Sequence, residues 1–238
     1  MYISNKDWLN FINKLSMLNN KASELMTKYI EQNGLDNTTE LVDYAYLVAN
    51  TYGDASSALA AAMYDVITEL EGKFYPPAEP APQISYGEVA KQVQGTMKRT
   101  QNTEKISSSV GRLVKMQGQD TLLQNGIRDQ AEFAWIPHGD TCAFCIMLAS
   151  NGWRKISKKA LRNGHAEHIH ANCDCSYMIR HSSNFDVEGY DPEKYYEIYS
   201  NAEGNTGTEK VNSMRREFYA QNKRIVGTES DKAEEYLS

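Results

Sequence analysis

Four cysteines are all the chain contains, and they fall into two pairs, Cys142-Ala-Phe-Cys145 and Cys173-Asp-Cys175. His165, His168 and His170, three of the five histidines, lie between the pairs. The stretch therefore runs C-x-x-C, a basic segment, then H-x-x-H-x-H-x-x-C-x-C. Thiolate and imidazole are the ligands that tetrahedral zinc prefers, and short loops carrying two ligands each supply them with little chain ordering. Cys142 and Cys145 are the firmest candidate ligands, and His170 with the Cys173/Cys175 pair supplies the rest. His168 is the alternative for the remaining place, although histidines in its position more often lie beside such a site or on the surface, and His165 more often still. A metal whose four positions are all filled by side chains is closed and structural, whereas a catalytic zinc keeps one position open. The thiolate-rich set favours a structural zinc that stands in for part of a hydrophobic core.

Length and composition are ordinary for a globular protein: 238 residues, 41% hydrophobic and 24% charged. No run of eighteen apolar residues occurs, so no membrane association is expected. The opening MYISNKDWLNFINKL reads as an amphipathic helix and lacks the continuous apolar stretch of a signal peptide. A cytoplasmic start is therefore expected, where thiols stay reduced and spaced cysteines serve as metal ligands. The net charge of −6 is uneven: both ends are acidic and residues 136–184 are basic. A basic stretch of this kind either meets nucleic acid or forms a solvated face beside the metal site.

Apolar spacing predicts a mainly α protein: a helical N-terminal bundle and helical arms around a small zinc-stabilised α+β module. Residues 1–74 form the helical region, read as three helices with a break at Asn50-Thr51-Tyr52-Gly53-Asp54. Four of the six prolines fall within Tyr75–Pro82, which predicts an extended linker over 75–85 and a domain boundary there. Helices are predicted over Gly87–Thr100 and Lys105–Gln130. Residues 86–190 form the core of the chain, with the zinc module at about 131–185. Within it, residues 131–136 read as a strand and Thr141–Leu148 as a short helix stopped by Asn151-Gly152. Strands at 152–155 and 176–179 flank a basic helix over Ser157–Asn163. Asp191-Pro192 opens a helical, acidic tail over 191–238.

The run Thr141-Cys-Ala-Phe-Cys-Ile-Met-Leu-Ala-Ser-Asn-Gly-Trp153, followed by His170-Ala-Asn-Cys-Asp-Cys175, resembles the Mu F-like minor head (head morphogenesis) proteins of tailed bacteriophages, in the form found in phages of Gram-positive hosts. Tyr52–Tyr64 and Asp186–Pro192 are similar to the same group. The resemblance implies a non-enzymatic virion component, at the capsid interior or portal vertex, that is made in the host cytoplasm and joins the head during assembly. It implies association with the portal and other head proteins, an effect on DNA packaging or ejection, and a zinc site built from the paired cysteines and His170. Contact with viral DNA through the basic central segment is a further expectation. Where relatives often have a basic residue before an apolar–proline pair, this chain has Trp135-Ile136-Pro137.

Two other readings fit parts of the chain. A zinc-knuckle nuclease of the His-Asn-His type would use His165, His168 or His170 to polarise a water, but no downstream ββα unit is recognisable. A nucleic-acid-binding adaptor would rest on Arg154–Arg162. No phosphate-binding loop, nucleophile elbow or dinucleotide fingerprint is present.

Overall fold

A computed structural model describes residues 1–138, 141–156 and 175–235, with side chains to residue 221. The chain is mainly helical, with seven helices among the described residues and small sheets. It divides into two compact units: residues 1–136 with 153–190, and residues 137–152 with 191–238.

In the first unit, α1 (Asn5–Asn33) and α2 (Thr38–Leu70) are long and joined by a short turn. Ser4 caps α1 by accepting from the Asp7 amide at 3.1 Å, and Asn37 caps α2 by accepting from the Glu40 amide at 3.3 Å. Gly34, at φ +73°, takes a positive-φ conformation that glycine adopts without penalty, and its amide donates to the Ile30 carbonyl at 2.8 Å to close the helix. The break predicted at Asn50–Asp54 does not occur, because the polar residues there turn back onto the helix. Asn50 donates from Nδ2 to the Tyr46 carbonyl at 3.1 Å, and Thr51 donates to the Leu47 carbonyl at 2.8 Å. Gly53 is a contact point, since a β-carbon there would run into the Gln117 side-chain oxygen.

That neighbour lies on α4 (Thr103–Arg128), which packs against α1, α2 and α3 (Tyr86–Arg99). Burial nearly all round makes α4 the spine of the unit, although its sequence is polar and weakly amphipathic. Ala22, Met26 and Ile30 of α1, Ala45 and Val48 of α2, Val89 and Val93 of α3, and Val110 and Val114 of α4 share one hydrophobic core. Small residues let the backbones approach. A β-carbon on Gly111 would stand 2.7 Å from the Asn19 carbonyl oxygen of α1.

The proline segment is extended, as predicted, and it is a strap bound along α2 and α4. The Ala78 amide donates to Asp65 at 2.8 Å, and the Ala81 amide to Thr121 at 2.9 Å. Asn125 grips Glu79 twice, accepting from its amide at 2.9 Å and donating to its carbonyl at 2.8 Å. Arg128 donates to the Pro76 and Pro77 carbonyls. Helices on both sides of the strap belong to the same compact unit, so the division falls at residues 136/137, 152/153 and 190/191 instead.

The unit is completed by an antiparallel sheet in the order β3-β2-β4: β2 (Glu132–Ile136), β3 (Arg154–Lys155) and β4 (Ser176–Arg180). Glu132 pairs with Arg180 in register, and the two side chains form an ion pair at 2.8 Å. A short parallel pair joins β1 (Tyr2–Ile3) to β5 (Asp186–Val187).

The second unit contains α5 (Ala143–Ala149), α6 (Pro192–Asn201) and α7 (Gly207–Glu235). Asp191 caps α6, accepting from the amides of Glu193 and Lys194, with Pro192 at the first helical position as predicted. Ala143 and Ile146 of α5 bury against Val211 and Met214 of α7, with Tyr195 and Tyr199 of α6 closing the cluster.

Candidate metal centre

The C-x-x-C pair is built on the start of α5. Cys142 is its N-cap residue and Cys145 lies in its first turn. These are the two positions that a capping box uses to bring side chains to one side of a helix start. Cys142 is half-buried and Cys145 is buried. Gly152, at φ +61°, ends the turn that follows α5, where the sequence predicted the stop.

The second half of the motif is described only at its end. Cys175, 1% exposed, directly precedes β4. The strand that follows it is pinned by Gln119, a buried residue of α4. Its side chain donates to Ser176 at 2.5 Å and accepts from the Tyr177 amide at 3.0 Å. This is why a glutamine occupies the middle of the spine helix. His165, His168, His170 and Cys173 lie outside the described residues, as does the predicted helix Ser157–Asn163. Cys142 and Cys145 belong to one compact unit and Cys175 to the other. Among the described residues no three His, Cys, Asp or Glu side chains form a metal-binding group, and a zinc-stabilised module is not shown. Cys142, Cys145 and Cys175 form no disulfide with one another. Thiols in this state, two of them spaced on a helix start, are the right donor type for zinc.

One polar cluster had no signature in the sequence. Asp129, the C-cap of α4, accepts from Tyr64 at 2.8 Å and from Arg128 through two bonds of 2.7 Å each. Burial works against the Asp129 charge, yet the hydrogen bonds from Arg128 and Tyr64 and the guanidinium charge hold its carboxyl below the usual range. Burial, with help from Asp129, pushes the Tyr64 phenol strongly upward, so it stays a proton donor. His181 stands over Tyr64 edge-to-face at 5.5 Å and beside Tyr75 at 4.7 Å. Its Nε2 lies 3.2 Å from the Thr68 hydroxyl, and burial pushes its pKa down, which keeps the ring neutral. Glu71 accepts from the amides of His181 and Ser182 at 2.7 and 2.8 Å. The cluster ties the end of α2, the strap, the end of α4 and the end of β4 together. Its acids and phenol are occupied in these bonds, so it acts as a lock.

Fold and site define a mainly helical protein with a small antiparallel sheet and a cysteine-paired segment between its strands. No helix of the described residues is long and apolar enough to cross a membrane. No curated protein and no solved structure matches the chain. The family model for the VG15 protein matches residues 2–202, and the chain belongs to that family, a family of viral gene proteins. The match points to a bacteriophage protein.

Proposed function

We propose that this chain is a minor head protein of a tailed bacteriophage, a structural and non-catalytic part that joins the head during assembly. The observation that carries the reading is the family match, whose bounds, residues 2–202, enclose the Thr141–Trp153 and His170–Cys175 motifs. A soft-ligand metal segment inside a helical scaffold also suits a bridging role better than turnover. The partners are the portal protein and other head proteins, with an effect on DNA packaging or ejection. The finished particle is the final location and the host cytoplasm the site of assembly. Viral DNA is a further partner through the basic segment that begins at Arg154 and Lys155.

One structural zinc completes the proposal. Cys142 and Cys145 hold it, with the remaining ligands drawn from His170, Cys173 and Cys175. Bound zinc supplies a tetrahedral cross-link in place of core packing.

Mass spectrometry of purified particles tests the role. The chain should be present in few copies relative to the major capsid protein. Its absence from both mature particles and assembly intermediates would sink the proposal. Elemental analysis tests the metal, with about one zinc per chain expected. A Cys142→Ser/Cys145→Ser variant should lose that zinc and melt earlier; melting like the parent with no zinc in either would remove the metal.

A further inference from the structure

His181 directly follows β4 and stands where the end of α2, the end of α4 and the start of the strap meet. Two contacts settle which of its ring nitrogens carries the proton. The Thr68 hydroxyl has a single hydrogen, which it donates to the Tyr64 carbonyl at 2.9 Å. The 3.2 Å contact between that hydroxyl and Nε2 therefore runs the other way, with His181 Nε2–H donating and Thr68 Oγ1 accepting. Nδ1 is left with a bare lone pair. It is sealed from solvent and has no hydrogen-bond partner among the described residues. The ring packs edge-to-face on Tyr64 and lies beside Tyr75, the first residue of the strap.

We propose that His181 is an acid-released catch: a proton arriving at Nδ1 frees the Tyr75 end of the strap from α2 and α4. Charging the ring puts a cation where no acceptor waits and where two cations already stand. Lys73, just past α2, and Arg128 of α4 both oppose that charge. Arg128 is also the residue that donates to the Pro76 and Pro77 carbonyls, at 2.8 and 3.0 Å. The repulsion thus falls on the strap's own anchor. Asp129 attracts the charge, but its oxygens are taken by Tyr64 and Arg128. An imidazolium drawn to Asp129 competes with Arg128 for them. Glu71 is committed to the His181 and Ser182 amides, and Arg180, the neighbour on β4, to Glu132. Farther along the strap, neutral side chains hold the backbone: Asn125 grips Glu79 and Thr121 accepts from Ala81. Release is therefore confined to the stretch before Glu79.

The direction follows from the surroundings of the ring. Burial, opposed by Asp129 and helped by Lys73 and Arg128, pushes the His181 pKa below its ordinary 6.5. The neutral ring is favoured in the closed state, so the hold is complete above 6.5 and is lost as pH falls through the closed-state value. Asp129, held below 3.8, stays ionised through this window. Glu71 has the opposite sign, because burial raises its carboxyl above 4.5 and acid relieves it. Global unfolding adds the two effects together, so the catch has to be read locally.

The test uses the full chain, isotopically labelled for NMR, with amide hydrogen exchange measured alongside. At pH 7.5 the His181 ring, assigned through its correlations to the backbone, should show a protonated Nε2 and a bare Nδ1. It should titrate with a midpoint below 6.5. Tyr75→Ala, which opens the ring to water, should bring that midpoint up towards 6.5. Between pH 7.5 and pH 5, exchange at the Ala78 amide, corrected for its intrinsic pH dependence, should quicken severalfold relative to Ala81. In His181→Gln, whose amide can still donate to Thr68 but does not titrate, that gain should vanish. Asp65, the acceptor of the Ala78 amide, is common to both chains and cancels in the comparison. A protonated Nδ1 at pH 7.5, a midpoint at or above 6.5, or the same gain in His181→Gln overturns the proposal. The ring titration needs the parent chain alone, so a variant that fails to fold leaves the proposal open to refutation.

Discussion

Two carboxylates near the end of one helix meet opposite fates. Asp129 receives three hydrogen bonds from Tyr64 and Arg128, and Asp120 receives none among the described residues. The consequences for stability have opposite signs. The Asp129 carboxyl is held down in the folded state, so its contribution is present above the unfolded pKa and is lost as pH falls through the folded value. Asp129→Asn should destabilise the protein at pH 7 by about 2 kcal/mol, since one neutral amide oxygen then replaces the two charged oxygens that accept from Arg128 and Tyr64. Asp120 is raised from 3.8 to about 6. It therefore costs nothing below 3.8 and becomes a penalty as pH rises through 6. Asp120→Asn should stabilise the protein by about 2 kcal/mol at pH 7.5, and the gain should vanish below pH ~4. Urea unfolding of both variants across that range reads the two slopes. Parallel pH profiles for the two would contradict the assigned environments.

At the scale of elements, much of the fold was legible where apolar spacing and caps agreed. The strand before the cysteines (Glu132–Ile136), the strand after them (Ser176–Arg180), the short helix between and the Asp191-Pro192 helix start all stand within about two residues of the reading. The false break in α2 shows what spacing misses. Asn50, Thr51 and Gly53 are turn residues in isolation, but inside a helix they bond backward or admit a neighbour. The spine helix α4 was found as a helix, yet its role was hidden because its buried face is built from Gln117, Gln119, Thr121 and Asn125. Gln119, Thr121 and Asn125 are buried because partners distant in sequence satisfy them, and no local pattern records such partners. The same holds for Asp129 and His181, and for the strap, whose prolines announce an extended path but not the surface that binds it. Cysteine spacing marked the candidate metal centre, whereas its assembly depends on residues outside those described.

The glycines give this scale its prediction. Gly111→Ala adds a β-carbon 2.7 Å from the Asn19 carbonyl, so α1 and α4 must separate. The cost of overpacking, about 1–3 kcal/mol, should exceed the helix-propensity gain of about 1 kcal/mol. Gly95→Ala in α3 meets nothing within 4 Å and should stabilise by about 0.5–1 kcal/mol. Denaturant midpoints that move in the same direction for both would remove the account of close approach between α1 and α4.

For the whole molecule the decisive fact is that the second unit is assembled from two separate stretches, residues 137–152 and 191–238. Its first stretch contributes α5, a seven-residue helix that is too short to hold its shape alone. Two things are available to hold it. One is visible: Ala143 and Ile146 packed on Val211 and Met214. The other is the proposed zinc on Cys142 and Cys145. Ending the chain after Tyr190 removes the first and leaves every proposed ligand in place. If zinc pins α5, the shortened chain should still carry about one zinc. Its Phe144–Met147 bonds should resist chymotrypsin until a chelator is added. The full chain, which keeps the α7 contacts, should resist more strongly after the same treatment. Mass spectrometry of the fragments, run beside elemental analysis, gives both readouts from one preparation. A shortened chain that holds no zinc and is cut at Phe144 from the outset would leave α5 dependent on α7 alone, and the cysteine pair would then be packing residues of a helix start.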